Sequence, residues 1–259
     1  MSPAEVMDSE LAEAAQTLRD NDEPFAFATI VRTAGATAAK PGTKALLAAD
    51  GTILHGWLGG GCTRGAVRKA ALEALKEGTP QLVSVAPEDL LEEKGVASGD
   101  TFEGTKFARN GCPSRGTVDI FIEPCLPMPE LVVLGASPVA KALTQLAPQF
   151  YWSISTGLDD ENATKRRRFV VIATQGLGDI DALQSALSEP CDYVAFVGSA
   201  KKFASLSEKL HSFGISQEAT AKVDAPAGLD IGAVTPEEIA LSILGQLVRV
   251  RRLNTGDKT

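Results

Sequence analysis

Apolar positions along the chain switch repeatedly between strand-like runs and helix-like spacing, in two successive α/β patterns. From Ser9 to Leu18, the residues Leu11, Ala14, Ala15 and Leu18 share one helical face, and Asn21-Asp22 ends the run. Phe25 to Val31 is a nearly unbroken apolar stretch of strand length, as a strand covered on both faces would be. Lys44 to Ala49, Asp50-Gly51 and Thr52 to Trp57 read as strand, two-residue turn and strand. Asp-Gly supplies the positive φ that a tight hairpin needs. Ala66, Val67, Ala70, Ala71 and Leu75 then recur at helical spacing, which predicts a helix from near Thr63 to Glu77-Gly78. Gln81 to Val85 and Thr117 to Ile122 are strands. Between them, Pro87 to Lys106 has no clear period and reads as an irregular excursion, and Phe107 to Arg115 carries the turn Asn110-Gly111-Cys112-Pro113.

Pro124, Pro127 and Pro129 read as a stiff linker and place a domain boundary there, giving domains 1–127 and 128–259. Beyond it, Leu131 to Gly135, Tyr151 to Ser155, Phe169 to Ala173 and Tyr193 to Val197 are short strands. Helical stretches run from Pro138 to Ala147, Asp179 to Leu187 and Lys201 to His211. Strands alternating with helices predict a parallel doubly wound sheet. A last helix starts at Thr235-Pro236-Glu237-Glu238, with a cap, a proline and acids in its first turn, and runs to Arg252 with Ile239, Ile243 and Leu247 as its apolar stripe. The fold class is therefore α/β: an N-terminal α/β domain with a glycine-rich cysteine loop, then a C-terminal Rossmann-like doubly wound parallel sheet.

Composition narrows the function. The chain has 259 residues, 44% hydrophobic and 22% charged, which is an ordinary globular balance. Its net charge of −8 argues against nucleic acid and anionic membranes as partners. No apolar run reaches membrane-spanning length, and the acidic N-terminal stretch has no basic leader, so a cytoplasmic location is expected. The four cysteines, Cys62, Cys112, Cys125 and Cys191, form no C-x-x-C pair, and neither His55 nor His211 stands at zinc-ligand spacing from one of them. Metal ligation by Cys62 and Cys112 brought together by the fold remains open.

The chemistry concentrates at Gly56-Trp57-Leu58-Gly59-Gly60-Gly61-Cys62-Thr63-Arg64-Gly65, which joins the hairpin to the following helix. Gly59, Gly60 and Gly61 directly precede a helix N-terminus, where free backbone N–H groups point outward and absent side chains admit a ligand. The Cys62 sulfur sits at the positive end of the helix dipole, which favours its ionised form and suits an anionic ligand that carries a soft metal. The same residues also fit a plain strand-to-helix turn with Cys62 as a small buried hydrophobe. Arg32, Lys40 and Lys44, around the loop from Arg32 to Thr43, either help to bind an anion or are solvated surface charges.

In the second domain, Gly135-Ala136-Ser137-Pro138-Val139-Ala140 resembles a dinucleotide fingerprint, with Ser137 in place of its second glycine. Pro138 removes an N–H donor, and Ser155 and Thr156 stand where a ribose-binding acid is expected, with Asp159 and Asp160 only later. These features argue against NAD(P) binding.

Several blocks in order resemble the XdhC/CoxI proteins, accessory factors of molybdenum hydroxylases such as xanthine and carbon monoxide dehydrogenases. They are Ile30 to Gly35, Ala39 to Ala45, Asp50 to Ile53 with Gly56 to Cys62, Val118 to Pro124, Val132 to Ala142, Phe196 to Ser199, and Ala227 to Ala233 with Thr235 to Ser242. The resemblance runs from about Phe25 to Arg252. It implies a protein that binds molybdenum cofactor as cargo, guards it during exchange of an oxo for a sulfido ligand, and delivers it to an apo-hydroxylase. Cys62 would contact the metal or its dithiolene, and Gly59, Gly60 and Gly61 would line the pterin phosphate, with Arg32, Lys40, Lys44, Arg64 and Cys112 as further cofactor contacts. The implied partners are a hydroxylase large subunit and a cysteine desulfurase as sulfur donor. A homodimer is expected because most oligomers are symmetric dimers. Departures from the pattern are Thr63-Arg64-Gly65 after the cysteine, Asn110 to Gly116 in place of a histidine-bearing stretch, and Ala200 after Gly198-Ser199. Two other readings are an NAD(P)-dependent oxidoreductase built on the second domain and a scaffold that binds partners without a ligand.

Overall fold

The computed structural model of the protein describes residues 9–113, 115–158 and 166–253. The chain divides between Pro127 and Met128 into two compact units. Among the described residues, no helix is long and apolar enough to cross a membrane.

The first unit opens with helix α1 (Ser9–Asp20), then strands β1 (Phe25–Ala34), β2 (Lys44–Ala48) and β3 (Ile53–Gly56). Helix α2 (Gly61–Glu77) leads to β4 (Gln81–Ala86), helix α3 (Glu88–Glu93), β5 (Thr101–Phe102), β6 (Thr105–Arg109) and β7 (Thr117–Cys125). The seven strands form one sheet in the order β3-β2-β1-β7-β4-β6-β5, antiparallel except for the parallel pair β4 and β6. Helix α2 covers one face: Val67, Ala70, Ala71 and Ala74 meet Ala26, Ala28, Ile30, Val83, Val85, Val118, Ile120 and Ile122 in one core. Alanines on both elements let the helix lie close to the sheet. On the opposite face, Leu11 and Ala15 of α1 pack on Phe25 and Leu46. Both faces of β1 are thus covered, as its unbroken apolar run requires.

Three local expectations are corrected. The hairpin loop has three residues, not two: Gly51 N–H donates to Ala48 C=O at 2.9 Å and Ala48 N–H to Thr52 C=O at 2.8 Å, with Gly51 at φ +77°. That is a turn followed by a left-handed residue, the next commonest hairpin closure. The excursion from Pro87 to Lys106 contains α3 and β5 and enters β6; its helix presents a single buried residue, Leu91, too few to show a period. Pro124 belongs to β7 rather than to a linker. It pairs with Ala26 of β1, and on its other side β4 has already ended opposite Ile122, so no neighbour needs its missing N–H.

The second unit comprises β8 (Glu130–Leu134), helix α4 (Pro138–Leu146), a short 3-10 turn (Ala147–Phe150), β9 (Ser153–Ser155) and β10 (Arg168–Ile172). There follow helix α5 (Asp179–Ser188), β11 (Tyr193–Phe196), α6 (Ala200–Ser212), α7 (Gln217–Thr220), β12 (Val223–Asp224) and α8 (Pro236–Leu253). Its five strands are parallel throughout, in the order β12-β11-β10-β8-β9. Counted within the unit this is 2-1-3-4-5, a doubly wound order whose topological switch lies between β8 and β10. Helices α4 and α8 pack on one face through Leu143, Ala240, Ile243 and Leu247. On the other, α5 and α6 bury Leu183, Ala186, Leu206 and Leu210 against Val170, Ile172 and Phe196. The fold class expected from the sequence is the one observed.

After β10, a buried polar knot ties α5 and α6 together. Asp179, 7% exposed, accepts hydrogen bonds from Thr174 Oγ1 and, at 3.2 Å, from the Gly176 N–H, and pairs with Lys202 at 2.6 Å. Burial pushes its carboxyl up, but the bonds from Lys202 and Thr174 and the Lys202 charge outweigh that and hold it below the usual carboxylate range. A depressed folded value stabilises the fold above the ordinary carboxylate range, and that contribution is lost as pH falls through it. Asp179→Asn should therefore lower the melting temperature at pH 7, with the difference from wild type closing below about pH 4.

Candidate functional site

The glycine turn is fixed by what precedes it. Gly56, at φ +85°, ends β3 so tightly that a Cβ there would stand 2.2 Å from the Lys44 carbonyl oxygen. Leu58 is fully buried in the core under α2, while Trp57 beside it is half exposed. Gly59, at φ +126°, faces Thr63, whose Oγ1 would lie 3.2 Å from an added Cβ. Gly60 then caps α2 with extended backbone (φ −74°, ψ −171°) and no side-chain bond, and Gly61 is the first helical residue.

These glycines differ in kind. The fold needs glycine at 56 and 59, but among the described residues a Cβ on Gly60 or Gly61 would meet nothing within 4 Å. Their bareness leaves the helix N-terminus open. The first main-chain bond of the helix runs from Arg64 N–H to Gly60 C=O at 3.0 Å, so the N–H groups of Gly61, Cys62 and Thr63 precede it. Cys62, one residue into the helix, is exposed and free. It is not a small buried hydrophobe.

A second loop reaches this sulfur. Asn110 N–H bonds Ala86 C=O at 2.7 Å, its Oδ1 accepts from the Cys112 N–H at 3.0 Å, and its Nδ2 donates to Gly116 C=O at 2.6 Å, which folds the chain after β6 into a turn. A Cβ on Gly111 would stand 3.6 Å from Cys62 Sγ. The glycine turn and the Cys112 turn therefore meet, with Cys112 exposed on the residue next to that contact. Ser114 of this stretch lies outside the described residues. Among the described residues, no group of three or more His, Cys, Asp or Glu could hold a metal ion. Cys125 and Cys191 are half-buried, and burial pushes both thiols up, whereas Cys62 and Cys112 are exposed.

The expected cations separate. Arg64 is exposed on the first turn of α2, and Lys40 is exposed on the loop between β1 and β2. Arg32 pairs with Asp119 at 2.5 Å, and Asp119 also accepts from Ser84 Oγ at 2.7 Å. Asp119 alternates with Val118 and Ile120, which face α2, so this pair lies on the sheet face away from the turn. Lys44 donates to Thr29 Oγ1 at 2.9 Å, and Thr29 alternates in the same way with Ala28 and Ile30. The fold does not bring Arg32 and Lys44 to Cys62.

It brings others that the sequence analysis did not single out. A cleft of about 430 Å³ runs from Cys62 along α2 past Gly65, Ala66, Lys69 and Glu73, and is closed on its far side by Lys106, Phe107, Ala108 and Arg109 of β6. The signal was present at spacings of three and four residues from Cys62, on the stripe beside the one that enters the core. The β6 wall was hidden because the strand straddles the boundary between the segment without a period, which ends at Lys106, and the turn-bearing stretch from Phe107 to Arg115.

In the second unit, Gly135 (φ +114°) packs so closely that a Cβ would lie 2.5 Å from the Ala173 carbonyl oxygen. Ser137 spends its hydroxyl on capping α4, accepting from the Ala140 N–H at 3.1 Å. A crevice of about 680 Å³ opens at the switch point, lined by Gly135, Gly157, Thr174 and Asp181 among others. At the end of β9, Ser155 Oγ donates to Gly157 C=O at 2.7 Å. Asp159 and Asp160 lie outside the described residues.

Comparison with known proteins places this architecture. Residues 18–86 match a family model described as the XdhC and CoxI family, and residues 131–247 one described as the XdhC Rossmann domain. An uncharacterized protein of Escherichia coli (strain K12), YqeB, is 29% identical over 268 aligned positions that cover 92% of this chain and 45% of that protein. The chain thus spans less than half the length of that relative. A solved structure described as a xanthine dehydrogenase from Bacillus halodurans aligns over 95% of this chain and 97% of its own at 20% identity and a TM-score of 0.42. The two family models match, in order, the unit that carries the glycine and cysteine turn and the doubly wound unit behind it: the chain belongs to the XdhC/CoxI family.

Proposed function

We propose that the protein serves a molybdenum hydroxylase as an accessory factor, binding molybdenum cofactor through the Gly60-Gly61-Cys62 turn, protecting it and handing it to the apo-enzyme's large subunit. The observation that carries this reading is the pair of glycines at 60 and 61, bare where the fold does not require it, beside an exposed thiol. Backbone N–H groups at the start of α2 suit the negative charge that dithiolene and oxo ligands place around the cargo's metal, and Cys62 offers the soft donor that metal prefers. Cys112, on the turn that touches Cys62, supplies a second thiol to the same surface. One or two protein sulfurs suit a metal that arrives with its own dithiolene and oxo ligands, because the protein need not complete a coordination sphere. Soft, incomplete capture also suits release. A cysteine desulfurase would be the source of the sulfido ligand while the cargo is held. The oxidoreductase alternative is weaker: Ser137 is committed to its helix cap and Pro138 has no N–H to offer a pyrophosphate.

Anaerobic titration of the apo-protein with molybdenum cofactor released from a donor enzyme tests the reading, with retained molybdenum and pterin measured per chain. Wild type should retain stoichiometric cofactor, Cys62→Ala should retain at least tenfold less, and Cys112→Ala should show a smaller loss. Equal retention by wild type and Cys62→Ala would sink the assignment.

A further inference from the structure

The cleft beyond Cys62 carries a charge pattern that the glycine turn does not explain. Its charged lining is Lys69 and Glu73 from α2 with Lys106 and Arg109 from β6, three cations to one carboxylate in a chain of net charge −8. Glu73 is taken by Lys106, and Arg109 pairs at 2.5 Å with Glu88, which stands outside the lining. Lys69 makes no ion pair among the described residues. Burial pushes the Lys106 ammonium down, and the like charge of Lys69 pushes it the same way. Two ammonium groups thus face one cleft that holds a single carboxylate.

The floor of the cleft is a separate observation. Gly65 lies inside α2, where glycine costs about 1 kcal/mol relative to alanine. Among the described residues a Cβ there would meet nothing within 4 Å, so their packing gives no reason for the glycine. With Ala66 and Ala70 it keeps the cleft open between Cys62 and the lysines.

We propose that this cleft receives the phosphate end of the anionic ligand whose metal end lies at Cys62, with Lys69 and Lys106 as the phosphate-binding cations. The inference rests on the carrier reading above and moves the phosphate away from Gly59, Gly60 and Gly61. From Cys62 to Lys69 is seven residues, about 10 Å along the helix axis, so metal and phosphate ends are held apart at the two ends of one groove. An anion between Lys69 and Lys106 relieves their mutual repulsion, and the site should weaken with added salt because Lys69 is exposed.

Inorganic pyrophosphate is the probe, measured by calorimetric titration of the full chain at low ionic strength. Wild type should bind it, the double variant Lys69→Gln/Lys106→Gln should bind at least tenfold more weakly, and Cys62→Ala should bind as wild type does. Because Lys106→Gln also breaks the pair with Glu73, Gly65→Leu is the second variant: it favours the helix, leaves both lysines in place and should abolish binding by filling the groove. No binding by wild type, or binding indifferent to both variants, overturns the proposal. Cofactor retention measured on the same proteins separates the two readings. A loss confined to Cys62→Ala keeps the carrier and discards the phosphate subsite. Pyrophosphate binding lost in the lysine and glycine variants, with cofactor retention indifferent to Cys62→Ala, keeps the anion subsite and discards the thiol's role.

Discussion

Arg168→Ala should destabilise the second unit by about 3–5 kcal/mol, because it leaves a carboxylate uncompensated in the interior. Arg168 and Glu130 stand opposite each other at the start of β10 and β8, each about 2% exposed, with Nε and Oε2 2.6 Å apart. The guanidinium also donates from Nη1 to the Leu158 carbonyl at 3.2 Å, while Nη2 has no partner among the described residues. Desolvation of both charges offsets much of their attraction, so the pair adds little net stability while removal of one member is costly. The double substitution Glu130→Met/Arg168→Met should accordingly return to within about 1–2 kcal/mol of wild type, which no additive contact loss would allow. Urea unfolding followed by Trp152 fluorescence in a Trp57→Phe background reads this unit directly. Trp152 is buried, with its ring edge-on to Phe169 at 4.9 Å. If Arg168→Ala cost as little as a surface pair does, below about 1 kcal/mol, the pair would have to be solvated rather than buried. Arg32 and Asp119 are the internal contrast: Arg32 is 65% exposed, and Asp119, though 12% exposed, keeps the Ser84 hydroxyl, so Arg32→Ala should cost less than Arg168→Ala despite a contact of 2.5 Å.

Most of the architecture was legible because burial imposes period. Strand β1 is apolar on both faces since α1 and α2 cover both faces, and α2 shows its inner stripe at 67, 70, 71 and 74 since those four residues meet the sheet. The parallel sheet announced itself through short apolar strands separated by capped helices, of which α4, α6 and α7 begin with a serine whose hydroxyl accepts from the first turn. Legibility failed where few residues are buried. Helix α3 buries only Leu91, and β5 buries nothing, so neither leaves a periodic trace. Pro124 was misplaced because its tolerance depends on where the neighbouring strand β4 ends, a tertiary fact.

The same limit governs the candidate site. Cys62 and its glycines are contiguous and could be read directly. The approach of Gly111 to Cys62 and the facing of Lys69 toward Lys106 join segments more than thirty residues apart, and only the sheet order brings β6 beside the face of α2. Arg32 and Lys44 stand at the two ends of one cation-bearing loop, yet strand alternation turns both toward the face away from α2. Sequence neighbourhood is a poor guide to side-chain direction at a period of two.

Two glycines five residues apart should separate folding from binding. Gly56→Ala forces a side chain into φ +85° and to 2.2 Å from a backbone oxygen of β2 that side-chain rotation cannot clear. Left-handed strain and the clash together should cost roughly 2–5 kcal/mol and lower the melting temperature of the first unit. Any cofactor it still binds would be lost through the fold, because β3 could no longer hold its register against β2. Gly61→Ala has the opposite signature. Position 61 has helical backbone and open space, and alanine narrows the unfolded ensemble, so stability should hold or rise by up to about 1 kcal/mol. Its new methyl nevertheless stands at the bare helix N-terminus beside Cys62, and cofactor retention should fall about tenfold. Thermal unfolding and anaerobic retention measured on the same preparations decide the matter. If Gly61→Ala is as stable as wild type and retains cofactor equally well, the bare turn serves only to connect β3 to α2 and the cargo must be held elsewhere. If stability holds while retention falls, the glycine at 61 is there for a ligand, since nothing in the fold needs it.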